Sequence, residues 1–163
     1  MALVVADNSL LQVLTTIERF DLLGGHLPVH ITRSVRREHQ NRAPHHAETF
    51  LQEQIETGAI IVVSPGVDAE ADRLMGRFRR LSFPDAECLA YAARDDAFLL
   101  AEDRALLEAA LVMDVVGVDI VAILVANRDV GRITSKELAG IASAIELDAD
   151  HAFTPAQKTT LGL

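Results

Sequence analysis

The chain has no tryptophan, one tyrosine and a single cysteine, Cys88, among 163 residues. The scarcity of aromatics removes most of the flat platforms on which single-stranded bases stack. A lone cysteine excludes an internal disulfide, and with it a disulfide-stapled secreted scaffold. Positive charge is in deficit: 15 Lys plus Arg stand against 24 Asp plus Glu, a formal net charge of −9. That balance opposes a polyanionic partner at long range unless arginines cluster or divalent cations sit among the acids. Long hydrophobic runs are missing too. The most apolar tract, LLEAALVMDVVGVDIVAILVA, is broken by Glu108, Asp114, Gly117 and Asp119, whereas a membrane span needs about 20 nearly uninterrupted apolar residues. The chain does not open on a basic segment followed by an apolar stretch and a small-residue cleavage site. Together with the lone cysteine, this predicts a cytoplasmic protein with no membrane contact.

What is present is core. Half of the residues are hydrophobic, enough for one sizeable interior, so one domain is expected over residues 1–163. ALVVA is short, Val-rich and apolar throughout, as a strand buried on both faces would be, and SLLQVLTTIERFDLL follows with apolar residues at helical spacing. Gly24 and Gly25 are expected to end that helix. Residues 29–31 predict a short strand, Thr32 caps a helix to about Gln40, and Pro44 suits the first turn of the next helix, which Gly58 ends. AIIVV predicts another strand of the buried-parallel type, and residues 68–80 an arginine-bearing helix. A helix starting near Pro84 then leads into FLLA (strand), DRALLEAALVM (helix), VVGV (strand) and DIVAILVAN (helix). Thr134 and Glu137 have capping-box spacing for a helix in ELAGIASAIEL, and Thr154-Pro155 starts a last short one. Strands separated by helical crossovers imply an α/β fold: a three-layer α/β/α sandwich around a mostly parallel sheet of about five strands, with helices at about 134–163 as an appendage.

Three strands in this pattern stop on carboxylates. Asp7 follows ALVVA directly, Asp103 lies two residues after FLLA, and Asp119 follows VVGV. In an open parallel sheet ligands bind beyond the carboxyl ends of the strands. Asp85 falls in the first turn of a helix, where exposed amides favour a carboxylate. Carboxylates brought together repel, and either protonation or a hard divalent cation such as Mg²⁺ or Mn²⁺ relieves the repulsion. Each acid alone fits the commoner role of helix cap equally well.

Four stretches resemble the PIN-domain ribonucleases, which include the VapC-type toxins of toxin–antitoxin pairs. VVADNSLLQVL is similar to the opening strand and acid, SVRREH to a Val-x-x-Glu element, and FPDAECLAYAARDDAFLLAEDRALLEAA to the acidic helix start, strand and late Asp. VVGVDIVAILVANRDVGRIT resembles the closing strand, helix and Gly-containing turn of one subgroup. The four occur in the family's order over roughly residues 2–134. The resemblance implies a catalytic quartet of Asp7, Glu38, Asp85 and Asp103, with Asp7, Asp85 and Asp103 holding one or two Mg²⁺ or Mn²⁺ ions and Asn8, Ser9 and Asp119 supporting them. The implied activity is metal-dependent hydrolysis of RNA, with a small antitoxin protein as a partner if the chain is a toxin. The chain departs from the family at Ala101, where Ser or Thr is usual, at Pro84, where glycine is usual, and at Asp119, where a small hydroxyl residue is usual. These departures motivate the alternative of a catalytically weak RNA- or protein-binding module.

Arg33, Arg36, Arg37 and Arg42 surround Glu38 and are the expected RNA contacts. Arg73, Arg77 and Arg80 would align on one helix face, but nearby Asp68, Glu70 and Asp72 favour a solvated surface there. His39, His45 and His46 lack a joining cysteine, so surface histidines are expected rather than zinc ligands. Cys88, within DAECLAYAA, is expected to be a buried thiol. The apolar helices ALLEAALVM and IVAILVA exceed what a small sheet must cover, which predicts a homodimer burying one of them.

Overall fold

The computed structural model describes residues 2–26 and 28–163. Its first unit is β1 (Val4–Ala6) followed by α1 (Asn8–Thr16), a 3-10 helix (Phe20–His26) and β2 (Val29–Thr32). Then come α2 (Arg33–Arg42), α3 (His45–Glu56), β3 (Ile60–Val63), α4 (Asp68–Arg77), α5 (Phe83–Asp95) and β4 (Phe98–Leu100). The remainder is α6 (Arg104–Val112), β5 (Gly117–Val118), α7 (Ile120–Asp129), α8 (Ser135–Asp148) and α9 (Pro155–Leu161).

The five strands run parallel in the order β3-β2-β1-β4-β5, with helices on both faces: the three-layer α/β/α arrangement. β1 is central, and its three residues are buried as an all-apolar strand must be. The chain builds outward from β1 in one direction through β2 and β3, then returns to its other side for β4 and β5. The order therefore reverses between β1 and β4, where neighbouring connections leave on opposite sides and open a crevice beyond the strand ends.

α5 packs across β1, β2 and β4. Its small residues Ala86, Cys88, Ala90 and Ala92 are buried and let it lie close to the strands. Helix starts are set by side-chain caps in which a Ser, Thr or Asp oxygen accepts an amide of the first turn: Asp7, Thr32, Ser82, Asp103, Asp119, Thr134 and Thr154 all do so. The boxes expected at Thr134 and Thr154-Pro155 form in full.

Four local readings change. α1 stops at Thr16, before Gly24 and Gly25, because Glu18 turns left-handed (φ 54°) and the Arg19 amide donates back to Leu14 O at 3.0 Å, closing the helix; the glycines belong to the separate 3-10 segment, kinked at Gly24. β3 is an edge strand, and Ile61 is 40% exposed, so it is not buried on both faces. α4 ends at Arg77, leaving Arg80 off the helix and the three-arginine stripe unformed. Pro44 precedes the first residue of α3 and serves as its N-cap position.

Candidate active site

The crevice at the β1/β4 reversal is built by α1, the segment after β4 and the first turn of α5. Asp7 leaves β1 and caps α1: its Oδ2 accepts the Ser9 amide at 3.1 Å and the Ser9 hydroxyl at 2.7 Å. The side chain is nearly sealed, with Asp7 2% exposed, and its Oδ1 is buried with no hydrogen-bond partner. Burial pushes the Asp7 carboxyl up to about 6, Ser9 opposes the rise, and the charge of Asp85 adds to it. An orphaned oxygen on a buried carboxylate carries a desolvation cost that nothing in the chain offsets and that a bound water or cation would offset.

Ser9 joins two strands. Its Oγ donates to Asp7 while accepting the amides of Glu102 at 2.9 Å and Asp103 at 3.2 Å. The Asp103 carboxylate caps α6, with Oδ1 accepting the Leu106 amide at 2.9 Å. Asp85 sits at the third helical position of α5 in a reciprocal box with Ser82, its Oδ2 accepting the Ser82 amide at 2.8 Å. Glu38, late in α2, pairs with Arg42 at 2.9 Å. Burial raises the Glu38 carboxyl, Arg42 works against that, and Asp85 adds to it. One turn beyond Asp85, the Cys88 thiol is fully buried under Ala6. Burial holds that thiol well above its usual range, and the charges of Asp7, Glu87, Asp85 and Glu38 raise it further. The charge of Asp85 acts on both Asp7 and Glu38, and Ser9 links Asp7 to the Asp103 backbone.

A family model described as a PIN domain matches residues 3–147. The chain belongs to the PIN-domain family. No curated protein matches it. A PIN domain is a nuclease-like module, and the family generally uses divalent metals.

The donor set of this PIN domain fits a hard cation: the acids are oxygen donors, Asp7 Oδ1 is free, and Asp85 and Asp103 each commit one oxygen to a helix cap. Yet among the described residues no three His, Cys, Asp or Glu side chains stand together as a ready metal cage.

The supporting residues divide. Ser9 sits in the centre, while Asn8 is buried beside Asp7 with its own Oδ1 unpartnered. Asp119 caps α7 through the Ala122 amide at 2.8 Å. The arginines divide as well. Arg33 and Arg37 are exposed, Arg42 holds Glu38, and Arg36 is drawn to Glu48 and to Gln52 at 3.2 Å. A groove of about 390 Å³, lined by Arg37, Glu38, Asn41, Arg42 and Pro84, leads from α2 to the Asp85 turn.

His39 is fully buried rather than on the surface, bridging Thr15 Oγ1 and Glu48 Oε2 at 2.8 Å each. Burial lowers its pKa, against the pull of Glu48. It ties α1, α2 and α3 together and offers no free nitrogen to zinc. Glu102 is the residue that sequence reasoning passed over. Its carboxylate turns inward, Oε1 accepts the Ile120 amide at the start of α7, and Oε2 lies 3.5 Å from His151 Nε2. Burial pushes Glu102 up to about 7, the Ile120 amide opposes that, and Asp119 adds to it. Asp103 was legible as a strand-end acid, but the inward turn of the carboxylate beside it was not.

Proposed function

We propose that this PIN domain is a Mg²⁺- or Mn²⁺-dependent endoribonuclease. The observation that carries the reading is Asp7: a sealed carboxylate with one free oxygen, at the reversal point of a parallel sheet, pressed by Asp85. Asp7, Asp85 and Asp103 are the residues that would hold the ion. When bound, such an ion supplies Lewis acidity and a water whose pKa is lowered. Ser9 keeps Asp7 Oδ2 engaged and leaves Oδ1 without a partner in the chain. Glu38 Oε1 is held by Arg42, which leaves Oε2 to orient the attacking water and take its proton. Arg33 and Arg37 pair with RNA phosphates, the local basic patch that an overall charge of −9 requires. One water is consumed: its hydroxide adds to phosphorus as Glu38 takes its proton, the bond to the leaving ribose oxygen breaks, and that oxygen takes the proton back from Glu38, directly or through a second water. Cys88 takes no part, because its buried thiol is held far from ionisation.

The same reading extends to a cytoplasmic toxin whose acidic crevice is filled by a segment of a small antitoxin, and to a homodimer. A calorimetric titration of Mn²⁺ into the wild type and Asp7→Asn, run beside cleavage of a labelled single-stranded RNA, tests its core. Binding and cleavage in the wild type, both lost in Asp7→Asn, are expected. Unchanged cleavage in Asp7→Asn and in Asp103→Asn would overturn it. The absence of a preassembled three-residue cage among the described residues favours a second reading, a weak RNA- or protein-binding module. RNA binding without cleavage, and without any thermal shift on adding Mn²⁺, is the result that module predicts.

A further inference from the structure

Asp7 and Asp103 follow separate strands, β1 and β4, so something must fix the two strand ends relative to one another. Ser9 does half of this by accepting the amides of Glu102 and Asp103. Those two bonds hold only if segment 101–103 keeps its path on leaving β4, and Ala101, a buried methyl, has no polar group with which to brace it. The brace is the next side chain. Glu102 reaches across the end of β5, where its Oε1 accepts the first helical amide of α7 and its Oε2 faces His151 in the 149–153 segment, beyond the part of the chain that matches the PIN family. The Ala101 amide is meanwhile held by Val118 O at 3.1 Å.

We propose that Glu102 is a positioning residue: by anchoring segment 101–103 to the start of α7, its carboxylate holds the Glu102 and Asp103 amides on Ser9 and so fixes the Asp7 and Asp103 carboxylates relative to each other. The proposal rests on the nuclease reading for its catalytic consequence, but its structural claim stands apart from that reading. Glu102 itself touches no reacting atom. Outer residues that orient ligating carboxylates typically change metal affinity or activity by about 10–100-fold when removed. Glu102→Gln keeps an oxygen for the Ile120 amide, whereas Glu102→Ala removes it.

The test measures three quantities in wild type, Glu102→Gln and Glu102→Ala: kcat and KM on RNA, amide hydrogen exchange at Glu102 and Asp103, and Tm. In Glu102→Ala, kcat falls about 10–100-fold while KM stays within about threefold, and the two amides exchange faster than the core strands. Glu102→Gln restores slow exchange and most of kcat. Unchanged exchange and unchanged kcat in a folded Glu102→Ala would overturn the proposal, as would equal losses in both variants. If the wild type itself cleaves no RNA, the nuclease reading fails, and exchange in the two variants alone decides whether Glu102 positions the segment.

Discussion

The buried carboxylate of Asp7 costs stability. Its carboxyl ionises at about 6 in the folded chain against an ordinary value of 3.8, because burial disfavours the charge. A carboxyl raised on folding binds its proton more tightly in the native state, so stability is greatest below the unfolded value and falls as pH rises from about 4 to 6. The shift corresponds to about 2–3 kcal/mol lost by neutral pH. Metal-free Asp7→Asn, which carries no charge there, is therefore expected to melt above the wild type at pH 8, by about 2–4 °C for each kcal/mol recovered, and to match it near pH 4. Scanning calorimetry at the two pH values checks this, and a variant that melts lower at pH 8 would refute it. Asp7 and Asp103 were legible because a polar stop after an apolar strand is visible in the residue order. His39 and Glu102 were not, because burial and direction are tertiary facts: a histidine among arginines reads as surface until α1 and α3 close over it.

At the scale of elements, one device serves two ends. The acids that follow β1, β4 and β5 cap α1, α6 and α7, so a strand-end aspartate has a structural task here whether or not it also takes the catalytic one proposed for it. Strand–acid–helix order was therefore readable, since it reflects local propensity and capping. What was unreadable were places where long-range packing decides. Gly24 is one: it was expected to end a helix, yet it kinks the 3-10 segment at φ 54° and ψ −128°, and the Arg132 guanidinium lies where a Cβ would stand, 1.9 Å from Nη1. Gly24→Ala is expected to destabilise by about 1–3 kcal/mol through backbone strain and this clash. Adding Arg132→Ala removes the clash alone, so a double-mutant cycle by urea denaturation separates the parts. A cost that disappears entirely in the double variant would show that the backbone at Gly24 is unstrained.

At the scale of the whole molecule, the exposed large apolar side chains among the described residues include Ile61, Val130, Leu147 and Leu163 singly, and Leu111, Val112 and Val116 within one short stretch. The helix IVAILVA is largely accounted for within the chain, since Ile120, Val121, Ile123 and Leu124 of α7 are buried. The end of α6 and the segment after it are not: Leu111 is 78% and Val116 56% exposed, and both line one shallow surface hollow. This patch adjoins β5, the two-residue edge of the sheet, which is too short to extend by pairing with another strand. Side-chain packing of α6 against α6 is then the contact that a homodimer would use, and a stable one needs about 800 Å² from each partner. Two copies of net charge −9 repel, so the dimer is expected to tighten as salt is raised, opposite to the weakening that salt imposes on RNA binding. Light scattering at micromolar concentration should give a dimer whose population grows from about 50 to about 500 mM salt. Leu111→Lys combined with Val116→Lys should give a monomer with unchanged Tm at infinite dilution, because neither side chain contributes to the core. A wild-type chain that stays monomeric across that range would leave this apolar surface unexplained and end the case for α6 as an interface.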